Sequence, residues 1–543
     1  MRRGLAFVTL VLSLAAMTPL MAGRPVLGQP AAQIVLPAPP RVFIETSYKP
    51  PSGRSIPVAK GGDLQAALKA AQPGDVLVLE PGAIFQGNFA LPKKAGSGWI
   101  VLRSGAPDEK LPPPGTRVTP SLAPVMPKLV SPNSGAAVYT EPGAHHYRFI
   151  GIEFATGPAV KEIYSIVAFG GEQISNAEIP TDLVLDRCYV HGQPGTMSRR
   201  GVLLNGASSA VIDSHVSEIH AAGYDSQAIL GYNGPGPFKI VNNYLEASTE
   251  NIMFGGADPK IPDLVPSDIE IRRNHLFKPL KWRPGDPTFA GVTWPVKNLL
   301  ELKNAQRVLI EGNLLENNWS GPALTLTPRN QNGTAPWSVV QDVLFQNNMV
   351  KNADGGFVIL SSDSEGLSQA TKRIAVVNNL WLGFAERFFL MVTGRSVALE
   401  DFLVDHNTAI PGGYAAYYIQ GGATPPAIVR FRFTNNLVGF GAYGVSIPKA
   451  DESLTKWVPG AIISKNALVN LADWRGGGAE GNRAHNVDQA MYASFPNAAT
   501  AGINADGTLA AKSPNRRAGT DGKDIGVDFD ELQRATALQP MRQ

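Results

Sequence analysis

The chain has 543 residues, and its 48 basic and 45 acidic side chains leave a formal net charge of +3. This balance excludes a protein that binds nucleic acid or an anionic membrane through its overall charge, so partners must be sought in local patches. The single cysteine, Cys188, excludes internal disulfides, and we expect it to be a buried packing residue without a redox role.

The first 22 residues have the layout of a secretory signal peptide. Arg2 and Arg3 precede the apolar run LAFVTLVLSLAAM, and small residues follow in MAG. The run is too short for a comfortable membrane span, no later segment approaches one, and no cysteine stands beside it to take a lipid anchor. We therefore expect a secreted or periplasmic protein with no membrane insertion. Residues 23–58 are rich in Pro and Ala without periodicity, which predicts an irregular lead-in.

The fold is expected to begin near residue 59 with an amphipathic helix. Asp63 is a suitable N-cap, and Pro73-Gly74 ends the helical pattern before the strand DVLVLEPG. The predicted apolar face consists of Leu64, Ala67, Leu68 and Ala71. Such a helix closes the N-terminal end of a solenoid, where an open end would expose core and unpaired strand edges.

One pattern recurs over residues 238–468: an apolar residue, any residue, an apolar residue, two of any kind, and then Asn. Read backwards, the register continues through His215, Cys188 and Ile152, and from position 188 the spacings run from 27 to 39 residues. A period of about 20 to 50 residues is the mark of a solenoid. Eight Asn share the register: Asn243, Asn274, Asn313, Asn348, Asn379, Asn407, Asn436 and Asn466.

The residue three positions before each of the eleven register positions, Ile152 to Asn466, is apolar, from Phe149 to Ile463. This alternation places one strand face inward, and a single repeat cannot bury that face without stacking on its neighbours. In parallel strands about 4.8 Å apart, each Asn can pass a hydrogen bond to the next, and Asn also tolerates a left-handed corner. We predict an all-β fold, a right-handed parallel β-helix of eleven or more coils over residues 59–530, followed by a tail at 531–543.

Each coil also has a second apolar strand. In LELKN at 300–304, Leu300 and Leu302 should point inward, which leaves Glu301 and Lys303 on the outer surface.

Residues 274–348 contain the longest coils and therefore insertions, which in a solenoid collect on one flank and tend to wall a groove. Trp rings stack on sugar rings, and basic groups neutralise the carboxylates or sulfates of an acidic polysaccharide. The alternative is that these residues simply fix long loops to the coil. The candidate substrate-binding residues are Trp282, Trp294, Trp319, Trp337, Lys281 and Arg283.

The stretch GGDLQAALKAAQPGDVLVLEPGAIFQGNF resembles the opening of the pectate-lyase-like β-helix superfamily, and SPNRRAGTDGKDIGVDFDEL resembles the closing segment of many secreted bacterial β-helix proteins. With the ladder, the resemblance covers about residues 60–530. It implies the fold and an action on carbohydrate polymers. It does not select a reaction, because the superfamily contains lyases, hydrolases, epimerases and binding proteins.

Elimination from a uronate needs a base and a cation that stabilises the enolate. Lys303, with Arg307 and Arg329 expected nearby, suits the base, and Glu301 would orient it or hold a cation. The order ELKNAQRVLIEGN then LTLTPRNQNG loosely resembles the chondroitinase B and alginate lyase family. That resemblance implies Lys303 as base and Arg329 as acid, although the spacing between them differs from the family's.

Two other functions stay open at this point. A glycoside hydrolase needs converging carboxylates, and the alternative from another class is a non-catalytic polysaccharide-binding or surface protein. No metal site is predicted, although calcium is an open alternative at the turns 255–258 and 361–365. We expect a monomer whose partner is a polysaccharide rather than nucleic acid. The hydrolase candidates are Asp225, Glu250, Asp258, Asp263 and Asp363.

Overall fold

The structure is a computed structural model that describes residues 33–383, 388–392, 397–410, 415–420, 425–441, 444–448, 452–469 and 491–536. Within these residues the chain forms a parallel β-helix, which confirms the predicted fold class: each coil pairs in parallel with the coils before and after it. The predicted signal peptide lies outside the described residues. No helix in the described part of the chain is long and apolar enough to span a membrane.

Sheet 1 contains the strands that precede the ladder corner, as Phe238–Val241 precedes Asn243. Its 14 strands, in stacking order, are Ser55–Val58, Val76–Leu79, Ile100–Ser104, His145–Ile150, Thr181–Asp186, Ala207–Ile212, Phe238–Val241, Ser267–Arg272, Ala305–Glu311, Val340–Gln346, Lys372–Val377, Leu399–Asp405, Ile428–Thr434 and Ile462–Ser464.

Sheet 2 contains the strands that follow the ladder position, and sheet 3 contains the second apolar strand of each coil. Two long strands, Leu314–Leu326 and Met349–Leu360, belong to both and join them. The other strands of sheet 2 are Ile84–Gln86, Lys128–Ser131, Glu153–Thr156, Tyr189–His191, His215–Ile219, Tyr244–Ala247, His275–Phe277, Leu380–Leu382, Thr408–Ile410, Leu437–Gly439, Asn466–Val469 and Tyr492–Phe495. Those of sheet 3 are Phe89–Leu91, Val138–Thr140, Val167–Phe169, Arg200–Leu204, Gln227–Gly231, Glu250–Phe254, Leu300–Leu302, Phe389–Val392, Ala415–Ile419 and Gly444–Ser446.

The remaining elements are short. A separate parallel pair joins Glu162–Ile163 to Met197–Ser198. The α-helices are Leu64–Ala70, Leu454–Trp457 and Phe529–Thr536, and the 3-10 helices are Asp108–Lys110, Pro120–Val125, Asn176–Glu178 and Leu280–Trp282.

The buried Asn ladder has the predicted form. Each Asn from 243 to 436 donates from Nδ2 to Oδ1 of the next ladder Asn at 2.9 to 3.1 Å. The other Nδ2 hydrogen donates to a backbone carbonyl of the preceding coil, as from Asn348 to Ile310 at 2.9 Å. Every ladder Asn is fully or almost fully buried, so the ladder satisfies polar groups at a corner that water does not reach.

Two details of the predicted register are wrong. Val211 pairs with Ile240, so Ser214 rather than His215 occupies the ladder position, and its backbone N–H donates to Asn243 Oδ1. The left-handed residue of the corner is also not the ladder Asn. It is the residue before it, for example Asn347 at φ +55°. Cys188 does occupy the ladder position and is buried, which raises the pKa of its thiol to about 12.

The ends of the solenoid differ in part from prediction. Asp63 caps the helix Leu64–Ala70 by accepting from Ala66 N at 2.8 Å, and the buried Leu64 and Leu68 belong to the main core. Closure of the N-terminal end by this helix stays a prediction. Sheet 1 already begins at Ser55, inside the predicted lead-in, because that strand pairs with Val76–Leu79.

At the other end, the helix Phe529–Thr536 crosses the predicted start of the tail at residue 531. Apolar packing explains this difference, because Leu532 is buried in a cluster with Leu380 and Val527 and the chain still packs on the coils there.

We expect Asn348→Ala to lower the free energy of unfolding by about 3 kcal/mol or more. Asn348 bonds to Asn313, Asn379 and Ile310, and its removal leaves at least two buried polar groups without a partner, at roughly 1–3 kcal/mol each. Denaturant unfolding measures the change. The exposed Asn332→Ala is the control, with an expected effect below about 0.5 kcal/mol. Equal stability of Asn348→Ala and the wild type would contradict this account of the ladder.

Candidate functional site

The outer surface of sheet 3 contains the predicted pair Glu301 and Lys303. Leu300 and Leu302 point into the core and are fully buried, so the two polar residues point outward as predicted. Lys303 Nζ lies 3.6 Å from Glu301 Oε1, and the Lys303 side chain is 17% exposed. The pair therefore forms a partly covered ion pair rather than a freely solvated one.

Glu301 is held from two sides. Its Oε1 accepts a hydrogen bond from Thr327 Oγ1 at 3.1 Å, on the next coil, and its Oε2 accepts one from Asn298 Nδ2 at 3.4 Å. On the preceding coil, Gly255 has φ +97°, and a Cβ there would come within 2.7 Å of Lys303 Cβ. The close approach of this glycine lets the Lys303 side chain lie against the preceding coil.

A second ion-pair group lies on the coils just before. Lys297 pairs with Asp225, and its Nζ lies 3.8 Å from Glu250 Oε1. Burial opposes the charge of Lys297, but the hydrogen bond to Asp225 and the nearby carboxylates outweigh it, so the pKa of Lys297 is raised and the ammonium form is held. We call Asp225, Glu250, Lys297, Glu301 and Lys303 together the Lys303 centre.

Glu250 is the most perturbed group of this centre. Its side chain is fully buried, and Gln227 Nε2 donates to its Oε2 at 2.7 Å. Burial, together with the charges of Glu301 and Asp225, raises the pKa of Glu250 to about 7. A carboxyl group of this kind can hold a proton near neutral pH.

A fully buried lysine, Lys278, lies close enough to Glu250 for the Glu250 charge to act on its ammonium group. Its Nζ donates to the carbonyls of Ala247, Ser248 and Thr249 and to Asn251 Oδ1, at 2.9 to 3.2 Å. Burial lowers its pKa to about 7, whereas the charge of Glu250 favours the ammonium. These bonds tie the corner between sheets 2 and 3, so we assign Lys278 to structure. Neither its spacing nor its neighbours in sequence indicate this role.

Arg329 comes close to Lys303 through its backbone, because Arg329 N donates to Lys303 O at 2.9 Å. Its guanidinium points to the following coil, where Nη1 pairs with Asp363 at 3.1 Å and Glu365 at 3.0 Å. The structure thus places Arg329 at the edge of the Lys303 centre with its charge already paired.

The structure does not bring Arg307 to this centre. Arg307 lies on sheet 1, where its Nε donates to Asp268 Oδ1 at 2.7 Å. Its backbone is left-handed, with φ +54°, and equivalent residues on neighbouring coils repeat the arrangement, as in the Asp342–Arg373 pair at 2.6 Å. Arg307 belongs to a row of alternating Asp and Arg on a different face of the solenoid.

Two of the four tryptophans pack inside the long insertion. Trp282 and Trp294 are buried and both pack against His220: the Trp282 ring lies edge-on at 5.3 Å between centroids, and the Trp294 ring is stacked at 4.1 Å. Lys281 pairs with Glu218, which also pairs with His220 at 3.1 Å. This group fixes the insertion to the coil, which is the alternative to substrate binding considered for these residues.

The other two tryptophans are half-buried at separate places. Trp337 Nε1 donates to Leu264 O at 3.0 Å, which fixes its ring to a neighbouring loop. Trp319 lies in the corner 317–322, where Asn318 Nδ2 donates to Lys297 O at 3.1 Å. Trp319 is therefore close to the Lys303 centre. The last of the predicted substrate-binding residues, Arg283, is exposed on the insertion.

The proposed hydrolase carboxylates separate into two sets. Asp225 and Glu250 belong to the Lys303 centre. Asp258 accepts from Asn332 N and Thr334 N, and Asp363 accepts from Asn330 N, so both hold turns. Asp263 lines a separate surface cavity beside sheet 1.

The turns 255–258 and 361–365 do not fit calcium well, because their main carboxylates already bind backbone N–H groups. Among the described residues, no group of three or more His, Cys, Asp or Glu is placed to hold a metal ion.

Neither a family model nor a curated protein sequence matches the chain. Solved structures with a similar chain path include an alginate lyase from Paenibacillus sp., at 14% identity over 68% of this chain and 99% of that chain, with a TM-score of 0.31. A PL6 family alginate lyase matches at 12% identity over 90% of this chain and 59% of that chain, with a TM-score of 0.43. An alpha-1,3-glucanase from Streptomyces thermodiastaticus matches at 12% identity over 80% of this chain and 71% of that chain, with a TM-score of 0.47.

We expect Glu250→Gln to change how stability depends on pH. The pKa of Glu250 is about 7 in the folded protein against an ordinary value of 4.5, so ionisation disfavours the folded state. The wild type should therefore lose stability relative to Glu250→Gln as the pH rises from about 4.5 to 7, by at most about 3 kcal/mol. Urea unfolding at pH 5 and pH 8 measures it. The exposed Glu109→Gln should give no such difference, and parallel profiles for Glu250→Gln and the wild type would refute the shift.

We expect Trp294→Ala to lower the unfolding free energy by about 3 kcal/mol, because it removes a buried ring stacked on His220. The half-buried Trp319→Ala should cost about 1 kcal/mol or less. Denaturant unfolding of both variants distinguishes a packing tryptophan from one free to contact a ligand. A larger loss in Trp319→Ala would reverse the two assignments.

Proposed function

We propose that this protein is an exported polysaccharide lyase that cleaves an acidic, uronate-containing polysaccharide at the Lys303 centre. The observation that supports this proposal is which groups reach the surface. Lys303 and Lys297 are partly exposed, at 17% and 46%, whereas the carboxylates of Glu250 and Glu301 are buried. A polymer lying on sheet 3 would meet these two lysine side chains before the buried carboxylates.

Elimination uses these groups as follows. The Lys303 amine accepts the proton from the carbon beside the uronate carboxylate. Lys297, held as ammonium by Asp225, neutralises that carboxylate and the enolate that forms from it. The bond from the neighbouring carbon to the glycosidic oxygen then breaks, a double bond forms, and the leaving oxygen takes a proton. Glu301, fixed by Thr327 and Asn298, orients the Lys303 amine.

Arg329 is the proposed donor of the proton to the leaving oxygen, but its guanidinium is paired with Asp363 and Glu365. Because arginine holds its proton strongly, we assign Arg329 first to neutralising the charge of the substrate. The leaving oxygen then takes its proton from Arg329 or from solvent. Trp319, beside Lys297, is the tryptophan best placed to stack on a sugar ring.

Hydrolysis is less well supported, because it needs two carboxyl groups that both reach the scissile bond. Of the three carboxylates in the Lys303 centre, only Asp225 is substantially exposed. A non-catalytic binding protein would use the same surface without bond cleavage. Export rests on the signal-peptide pattern of residues 1–22.

We expect Lys303→Ala and Lys303→Arg each to lower the release of unsaturated product by about 100-fold or more, because neither side chain can act as a general base at neutral pH. Ultraviolet absorbance measures the release from pectate, alginate and glycosaminoglycans. Lys303→Arg keeps the ion pair with Glu301, so it separates proton abstraction from charge.

The exposed Lys110→Ala is the matched control and should be fully active. Substantial activity in Lys303→Arg alone would give Lys303 an electrostatic role, and full activity in both variants would refute the site. New reducing ends without ultraviolet absorbance would identify a hydrolase, and binding without either product would identify a binding protein.

A further inference from the structure

Three aromatic and basic side chains stack on successive coils on the N-terminal side of the Lys303 centre. The Arg199 guanidinium lies between two tyrosine rings, 5.2 Å from the centroid of Tyr164 and 4.5 Å from that of Tyr224. The coil register explains this arrangement: Ile163 pairs with Ser198, which places Tyr164 beside Arg199. Tyr164 and Tyr224 are 54% and 50% exposed, so the three groups form a surface open to solvent.

The two arginines at this place lack a counter-ion contact. Among the described residues, neither Arg199 nor Arg200 has a carboxylate within ion-pair distance, and the buried Nε of each has no hydrogen-bond partner. Burial lowers the pKa of Arg200. Glu172 is a carboxylate whose charge acts on Arg200, and it lies 4.0 Å from Lys260. Partly buried guanidinium groups without an anion are stabilised by one that binds from outside.

This surface is continuous with the Lys303 centre. Arg200 pairs in register with Gln227, and Gln227 pairs with Glu250, so these three residues form one row at the start of the strands of sheet 3. Tyr224 precedes Asp225, the partner of Lys297, in the chain. At about 4.8 Å per strand, the arginines lie roughly 10–15 Å from the Lys303 centre, towards the N-terminal coils.

We propose that Tyr164, Arg199, Arg200 and Tyr224 form a subsite that binds the carboxylate of a uronate unit of the polymer, several coils away from the bond that is cleaved. The tyrosine rings hold the Arg199 guanidinium flat and offer their own faces to the sugar. The two guanidinium groups donate to the carboxylate. The subsite rests on the proposed function for its ligand, and it would make the protein select a charged polymer over a neutral one.

Binding of short oligomers tests the subsite without cleavage. The probes are hexamers of galacturonate, mannuronate, guluronate and hyaluronan, each beside its carboxyl-reduced form, titrated calorimetrically into the Lys303→Ala protein. We expect at least one acidic hexamer to bind, and Arg199→Gln in that background to weaken its binding by about 10- to 100-fold. The reduced form should bind weakly and equally to both proteins.

Tyr224→Ala is the second variant and should weaken binding of the same hexamer by about 10-fold. The matched control is Lys260→Gln, because Lys260 is an exposed residue beside Glu172. Melting curves confirm that each variant is folded. Unchanged affinity in both Arg199→Gln and Tyr224→Ala would overturn the subsite, as would failure of all four acidic hexamers to bind.

The subsite and the proposed reaction fail separately. If acidic hexamers bind through Arg199 but no unsaturated product forms from any polymer, the subsite stands and the lyase proposal fails. If product forms at the wild-type rate and affinity in Arg199→Gln, the lyase proposal stands and the subsite fails.

Discussion

The structure depends on hydrogen bonding at one buried corner. Parallel coils stacked about 4.8 Å apart leave backbone N–H and C=O groups at each turn that no strand partner can reach. The ladder Asn supplies two donors and an acceptor at that point, and its bonds run from coil to coil. With the corner fixed, the strands on both sides keep one register over the solenoid. The side chains on the outer faces then fall into rows, and residues from distant parts of the chain become neighbours.

The ladder was predictable because it combines a fixed residue type with an apolar residue at a fixed offset, and both requirements repeat. The prediction was wrong in one repeat that has no Asn: Ser214 takes the ladder position with a hydroxyl, and His215 beside it was chosen in error. Outward orientation of Glu301 and Lys303 also followed from alternation alone. The degree of burial did not, because Thr327 and Asn298 come from other segments and cover Glu301.

Side chains in loops and at bulges were the least predictable. Arg307 lies four residues from Lys303, yet a left-handed backbone at the start of its strand sends it to Asp268 on another face. Trp282 and Trp294 come from the expected insertion, but they pack against His220 instead of lining a groove. The Arg199 and Arg200 pair lies in a short coil without insertions, and only the coil register shows that it continues the row of Glu250. Contacts between coils decide these positions, and a single strand pattern does not contain them.

The lead-in crosses sheet 1 lengthwise against the direction of the coils. Backbone N–H groups of Val35, Ala38 and Arg41 donate to Asp401, Asp342 and Asp268 at 2.8 to 3.0 Å. Val35 is synthesised 366 residues before Asp401, its acceptor. The first described residues therefore cannot complete their docking until the late coils exist. A fully docked lead-in requires that nearly the whole solenoid has been assembled.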